Sequence, residues 1–372
     1  MRLFNLLALL LVAINLRPAL TSLGPVLPEL GLSTTAAGWL NTLAVLCLGL
    51  FAPLAPLLAK RLGLDWALRL ALLVLAGGTA LRAVASPWAL FAGMIAAGAG
   101  IGVVGVLLPG VVKRDYPEQA GVMTGLYTMM LCIGAAVAAG TMVPLANTLH
   151  SVPLALGVWA IPALAAMILW RSHLQPPATT AVAKPLWGSA LAWQVSLYMG
   201  FQSSLAYSVF AWLPSMLMSR GLTPEAAGWL TSVSIFLQAP AALLATALTQ
   251  RSRSQSQAIV IAMLLTLVGF IAILQAGPSW LWPAGIVLGV GQGSSFGLAL
   301  ALLVHRASNS DDAARLSGMA QGVGYALAAL GPLVIGAGHD WLRSWPALTP
   351  LLAAITLLAL LFGALAGRDR TV

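Results

Sequence analysis

The chain has 372 residues, 60% of them hydrophobic and only 7% charged, with 18 Lys+Arg against 9 Asp+Glu. A soluble domain carries about 25% charged residues, so this chain cannot cover its own surface in water, and most of its solvent is lipid. Its net charge of +9 does not indicate nucleic acid, because the basic residues stand singly or in pairs at the ends of apolar segments.

A membrane helix needs about 20 predominantly apolar residues. The first such segment, 3–25, starts like a signal peptide with Met1-Arg2 and an apolar run. Arg17 follows that run closely, and the apolar pattern resumes through Leu20, Leu23, Val26 and Leu27, which predicts an uncleaved transmembrane helix. Eleven more segments follow at 34–58, 66–84, 88–111, 119–143, 152–170, 191–218, 225–248, 257–276, 280–303, 314–337 and 346–366. Cys47 and Cys132 lie inside apolar segments without metal-ligand spacing and read as small core residues. The connections are short except for "RSHLQPPATTAVAKPLWGS", Arg171–Ser189, which is polar and rich in Pro and Ala.

The expected architecture is an all-α membrane protein of twelve transmembrane helices in two pseudo-symmetric six-helix bundles. The bundles are 1–171 and 191–372, with a linker at 172–190. Lys60, Arg61, Arg69, Lys113, Arg114, Arg171, Lys184, Arg251, Arg253, Arg306, Arg315, Arg368 and Arg370 fall on one side together with Arg2. Only Arg82, Arg220 and Arg343 fall on the other. The positive-inside rule therefore places the termini and linker in the cytoplasm. The halves also repeat: "AAGWLNTLAVL" from Ala36 recurs as "AAGWLTSVSIF" from Ala226. "LLPGVVKRD" answers to "ALALLVHRA", and "MTGLYTMM" to "LSGMAQGV". Duplicated halves are the architecture in which transporters place a substrate site near the bilayer midplane.

Twelve helices, a central linker and basic residues after helices two, four, eight and ten resemble the major facilitator superfamily. "NLRPALTSLGPVLPEL", "LLPGVVKRDYPEQAGVMTGLY", "AWQVSLYMGFQSSLAYSVFAWLP" and "LSGMAQGVGYALAALGPLVIGAGHD" look like its cyanate permease and nitroimidazole transporter branch. That resemblance spans nearly the whole chain and implies alternating-access transport of a small solute across the bacterial inner membrane. One stretch departs from it. The superfamily's loop after helix two usually reads G-x-x-x-D-R-x-G-R-K, and here it is "PLLAKRLGLD", Pro56–Asp65. Lys60 stands where the Asp is expected, while Arg61 and Gly63 match. Either Asp65 substitutes or closure uses other contacts. The gating candidates are therefore Lys60, Arg61, Gly63, Asp65, Lys113 and Arg114.

Arg17 carries the transport reading. Facing lipid near the helix centre, it would cost at least ~2.5 kcal/mol, so a cavity is the cheaper surrounding. The sequence places no carboxylate at its depth, and a guanidinium fork attracts an anion or an electron-rich planar acceptor. A cyanate ion or a nitro group fits that description; the bland alternative is a side chain bonded to backbone carbonyls or snorkelling outward. Further substrate-binding candidates are Asn15, Tyr127, Gln202, Tyr207, Trp212, Gln238, Gln292, Gln321 and Tyr325, polar or aromatic groups inside the segments. Single serines such as Ser204 and Ser208 read as glue between helices.

The four histidines and nine acids lie in loops or at helix ends, so a buried proton relay is not evident, although Glu29 and Glu225 remain gate candidates. The competing reading within the superfamily is a proton-coupled drug or metabolite exporter. An enzyme is disfavoured by the absence of H-E-x-x-H, of G-x-S-x-G and of intramembrane His or Asp. No cofactor or metal is called for. The expected partners are a small-molecule substrate and the lipid bilayer, with no nucleic acid, and the expected state is a monomer.

Overall fold

The computed structural model describes residues 2–170, 186–249, 252–308 and 310–372. The expected linker at 172–190 lies for the most part outside them, and Lys113 lies outside them in its side chain. In chain order the α-helices are α1 Arg2–Ile14, α2 Pro18–Thr21, α3 Thr34–Phe51, α4 Leu54–Leu62, α5 Leu64–Leu81, α6 Pro87–Asp115, α7 Ala120–Leu149, α8 Val152–Val158 and α9 Ala160–Leu169. They continue as α10 Ala190–Ser219, α11 Pro224–Thr249, α12 Ser256–Gln275, α13 Leu281–His305, α14 Ser310–Leu342 and α15 Thr349–Ala366. Among the described residues, eleven stretches are long and apolar enough to cross a membrane. The seventh expected segment is α10, 30 residues long but interrupted by Gln194, Gln202 and a run of serines, and it is not among the eleven.

Three expected helices are broken, and proline accounts for each break. A proline removes the N–H that would bond the carbonyl four residues earlier. Pro18 thus leaves the Ile14 carbonyl without its helical donor, and the first segment splits into α1, the turn Asn15–Arg17 and α2, followed by a 3₁₀ stretch Gly24–Leu30. Pro53 and Pro56 separate α3 from α4, and Pro162 does the same for the Val158 carbonyl between α8 and α9. By contrast, α14 runs through Pro332 without interruption.

The chain forms two compact units, Met1–Gly31 with Leu43–Ala181, and Leu32–Thr42 with Val182–Val372. Each is built around the same glycine device. In the first unit, a Cβ on Gly98 or Gly102 would lie 2.4 or 2.5 Å from the Ala44 or Leu48 carbonyl oxygen. One on Gly100 would lie 2.7 Å from the Ala71 oxygen. In the second unit, Gly289 and Gly293 would each meet a carbonyl oxygen at 2.3 Å, of Ser234 and Gln238, and Gly291 would meet the Thr266 nitrogen at 2.6 Å. Small residues at this spacing let membrane helices approach to backbone contact. The repeated AAGW motifs carry the same correspondence to the surface, where Trp39 is 45% and Trp229 47% exposed. Many exposed Leu, Ile and Val side chains surround these cores, as a lipid solvent requires.

Candidate functional site

In the first unit the site is the elbow between α1 and α2. Leu20 N, Thr21 N and Thr21 Oγ1 all donate to the Arg17 carbonyl, at 2.9, 3.1 and 3.3 Å, so Arg17 begins the second piece of helix. Its side chain is only partly buried although it lies well inside the apolar span Phe4–Leu30, and its Nη1 is 3.8 Å from Cys132 Sγ on α7. Gly134, on the same helix as Cys132, makes the elbow possible: a Cβ there would stand 2.0 Å from the Ile14 carbonyl oxygen. Asn15 is buried, and its amide donates to Leu11 O at 2.6 Å and Pro162 O at 3.1 Å. It therefore ties the break in the first segment to the break in the sixth. Tyr127 is partly buried and packs against the apolar core of this unit.

Toward the opposite end of the same unit, where the basic loops gather, Asp65 is buried and receives Arg114 in a bidentate grip, Nη1 and Nη2 each at 3.1 Å. Trp170 Nε1 donates to the same carboxylate at 3.1 Å, and Arg69 Nε donates to the Trp170 carbonyl at 2.9 Å. Asp115 takes further bonds from Arg114, at 2.6 and 3.0 Å. Burial opposes the charge on Arg114, but the hydrogen bonds to Asp115 and Asp65 outweigh it and raise its pKa. Gly63 turns the chain into α5 with φ +81°, a conformation that favours glycine. Lys60 and Arg61 are exposed on the last turn of α4. Of the gating candidates with described side chains, Asp65 and Arg114 are joined, and Lys60 and Arg61 stand apart in solvent.

In the second unit the candidates fall into two groups. Tyr207, Gln321 and Tyr325 are partly exposed. The two tyrosine rings meet edge to face with centroids 6.5 Å apart, and Gln321 donates to Ser317 Oγ at 2.8 Å. Gln202, Gln238 and Gln292 are buried. Gln238 has its backbone against Gly293, beside Gln292, and the Tyr198 hydroxyl one turn before Gln202 donates to Ser295 O at 2.9 Å. Register therefore puts all three amides at one level of the unit. Their Nε2 atoms, and Oε1 of Gln292, are buried without hydrogen-bond partners, as are Thr231 Oγ1 and Ser234 Oγ. So many orphaned polar atoms in one bundle is unusual, since each costs about 1–3 kcal/mol. Trp212 is buried, with its indole N–H committed to Pro332 O at 2.9 Å and its ring against Trp345.

Sequence reasoning missed two features. The sequence marks Arg82 only as a cation of the side poor in them, yet it is 1% exposed and bonded to the first segment. Asp340 was read as a helix-end charge, yet its carboxylate accepts from Thr35 N at 2.7 Å and from the Thr34 and Thr35 hydroxyls, anchoring the start of α3. The sequence signal for Arg82 is its rarity, as one of few cations on the side that the positive-inside rule keeps poor in them. Among the described residues, no group of His, Cys, Asp or Glu is placed to hold a metal ion.

A family model described as Major Facilitator Superfamily matches residues 6–328 and 197–371. The chain belongs to that superfamily. Within it, the chain is 38% identical to an uncharacterised transporter, YycB, of Bacillus subtilis, covering 98% of this chain and 93% of the relative. It is 34% identical to a 2-nitroimidazole transporter of Escherichia coli over 98% and 95%. It is 28% identical to the cyanate transport protein CynX of the same organism over 91% and 92%. Solved major facilitator structures share the fold at low identity. The nucleoside transporter NupG superposes with a TM-score of 0.78 at 14% identity, covering 96% of this chain and 98% of that one. A D-xylose-proton symporter does so at 0.74 and 16%, covering 98% and 95%. This facilitator is thus a multi-pass secondary transporter and not an enzyme.

Proposed function

We propose that this transporter moves a small planar or anionic solute, cyanate-like or nitroimidazole-like in chemistry, across the bacterial inner membrane by alternating access. Arg17 is its substrate-facing donor, the chain works as a monomer and both termini are cytoplasmic. The observation that carries this reading is the elbow at Asn15–Pro18, which holds a partly exposed guanidinium at a helix break inside an apolar span. Transporters build substrate sites from discontinuous membrane helices, and a planar fork of donors suits the oxygens of a nitro group or the ends of a small linear anion. Within the first unit, the partly exposed Tyr127 offers aromatic surface of the kind that a planar solute needs. Two relatives, named for 2-nitroimidazole and for cyanate, agree with that substrate chemistry. So does a shorter match, 46% identical over 94 residues, to a putative anionic 4-hydroxy-benzoate permease of Thauera aromatica.

The test is uptake of labelled cyanate and of 2-nitroimidazole into proteoliposomes containing the wild-type chain, with and without an imposed pH gradient. Saturable uptake of either solute, unchanged by the gradient, is the expected result. Uptake that collapses without the gradient would move the assignment to the proton-coupled exporter, and transport of neither solute would overturn the substrate class.

A further inference from the structure

Arg82 follows the last residue of α5, at the end of the first unit away from Arg114, and it is 1% exposed. Its Nη1 donates to Ala19 O at 2.9 Å and its Nη2 to Ser22 Oγ at 3.0 Å, while Nε is buried without a partner. Burial lowers its pKa to about 10, so it stays charged at neutral pH. Both acceptors are neutral, and a cation buried on neutral acceptors alone costs free energy that a surface position would not.

Room has been left for it. A Cβ on Gly93 would lie 2.9 Å from Arg82 Cγ and 2.5 Å from the Gly78 carbonyl oxygen, so the glycine lets the arginine stem cross between α5 and α6. What the stem reaches is α2, which has four residues and cannot be a stable helix by its own hydrogen bonds. That stub begins at Pro18, directly after Arg17. On the near side of the elbow, Asn15 is tied to Leu11 O and Pro162 O. On the far side, the polar side chain reaching in from another element to hold Ala19 and Ser22 is Arg82.

We propose that Arg82 is a positioning residue: by holding Ala19 and Ser22 it fixes the α2 stub, and so the direction in which Arg17 presents its guanidinium. The importance of this for transport rests on Arg17 being the substrate-facing donor, whereas the positioning itself does not. A reporter already lies in place: Cys132 Sγ is 3.8 Å from Arg17 Nη1 and only 3% exposed, so its slow modification reports both how the elbow shields it and how the cation is held beside it.

The experiment measures the rate at which methyl methanethiosulfonate modifies Cys132 in the full, detergent-purified chain carrying Cys47→Ala. Arg82→Met keeps the bulk and removes the donors. It is expected to shift the rate about threefold toward that of Arg17→Gln, to shift nothing further when combined with Arg17→Gln, and to be partly rescued by Arg82→Lys. A monodisperse Arg82→Met protein whose Cys132 reacts as in the parent would overturn the proposal. Should Arg82→Met not fold, Ser22→Ala removes one acceptor only. A smaller shift in the same direction supports the proposal, and an unchanged rate counts against it as decisively. Uptake of cyanate and 2-nitroimidazole by the same proteins separates the two claims. A shifted Cys132 rate in a protein whose wild type carries neither solute leaves the positioning intact and removes the substrate reading.

Discussion

Arg114 is gripped by two carboxylates, Arg82 reaches a carbonyl and a hydroxyl, and Arg17 has a thiol at 3.8 Å. These settings predict different responses to substitution. Asp65→Asn leaves Arg114 and Trp170 facing a neutral amide at a 2% exposed site. It is expected to cost about 1–3 kcal/mol, since the amide cannot accept every bond from Arg114 and Trp170, although Asp115 still pairs with Arg114. Asp115→Asn, at a more exposed carboxylate, is expected to cost under about 1 kcal/mol. Thermal unfolding of the purified variants compares them, and equal losses would show that the buried grip has no special weight. Asn15 belongs to the same group of anchoring residues. Its place in the sequence, two residues before Arg17, makes it a ligand candidate; in the fold it is buried and donates to two backbone carbonyls. Sequence alone does not separate these roles, because a polar residue inside an apolar helix looks the same whether it faces a solute or a freed carbonyl.

At the scale of elements, adjacent glycines of α5 offer a controlled comparison. A Cβ on Gly78 would stand 2.6 Å from the Ala97 nitrogen and 2.7 Å from the Gly93 carbonyl oxygen, whereas one on Gly77 would meet nothing within 4 Å. Gly78→Ala is expected to destabilise by about 1–3 kcal/mol through overpacking, and Gly77→Ala to be neutral or stabilising by up to about 1 kcal/mol. Similar melting temperatures for both would mean that α5 and α6 are not in backbone contact. The start of α3 supplies a second test. Asp340 caps it through Thr35 N, with Gly38 closing onto Pro332 O and Thr42 Oγ1 donating to Ala329 O at 2.6 Å, so contacts recur every fourth residue along α3. Asp340→Ala removes the cap and is expected to cost about 1 kcal/mol, with Thr35→Val costing less because the backbone bond remains. Small residues recur through Gly93–Gly105 and Gly285–Gly297, as in closely packed membrane helices, but the partners they pack against cannot be read from the sequence. Nor can the breaks at Pro18 and Pro162, because a proline inside an apolar segment does not always end the helix, and α14 runs through Pro332 unbroken.

For the whole molecule, the apolar segments are legible because a membrane imposes about 20 apolar residues per crossing. What the sequence concealed is how the two copies have diverged. Arg114 and Arg306 close equivalent helices. The first binds Asp65, whereas the second is buried against Gln255 Oε1 and the Gly367 carbonyl, at 3.0 Å from the latter. Burial lowers the Arg306 pKa, with Asp369 partly offsetting the effect. The first unit thus has a carboxylate facing this arginine where the second has an amide, and the second holds Gln202, Gln238 and Gln292 in its interior. The most direct measurement is saturable cyanate uptake by Arg17→Gln proteoliposomes beside wild type, at equal protein and confirmed folding. Loss of at least roughly 100-fold in transport, about 2.7 kcal/mol, is the result expected of a substrate-facing guanidinium. Full saturable uptake by Arg17→Gln would contradict it and leave Arg17 a structural residue.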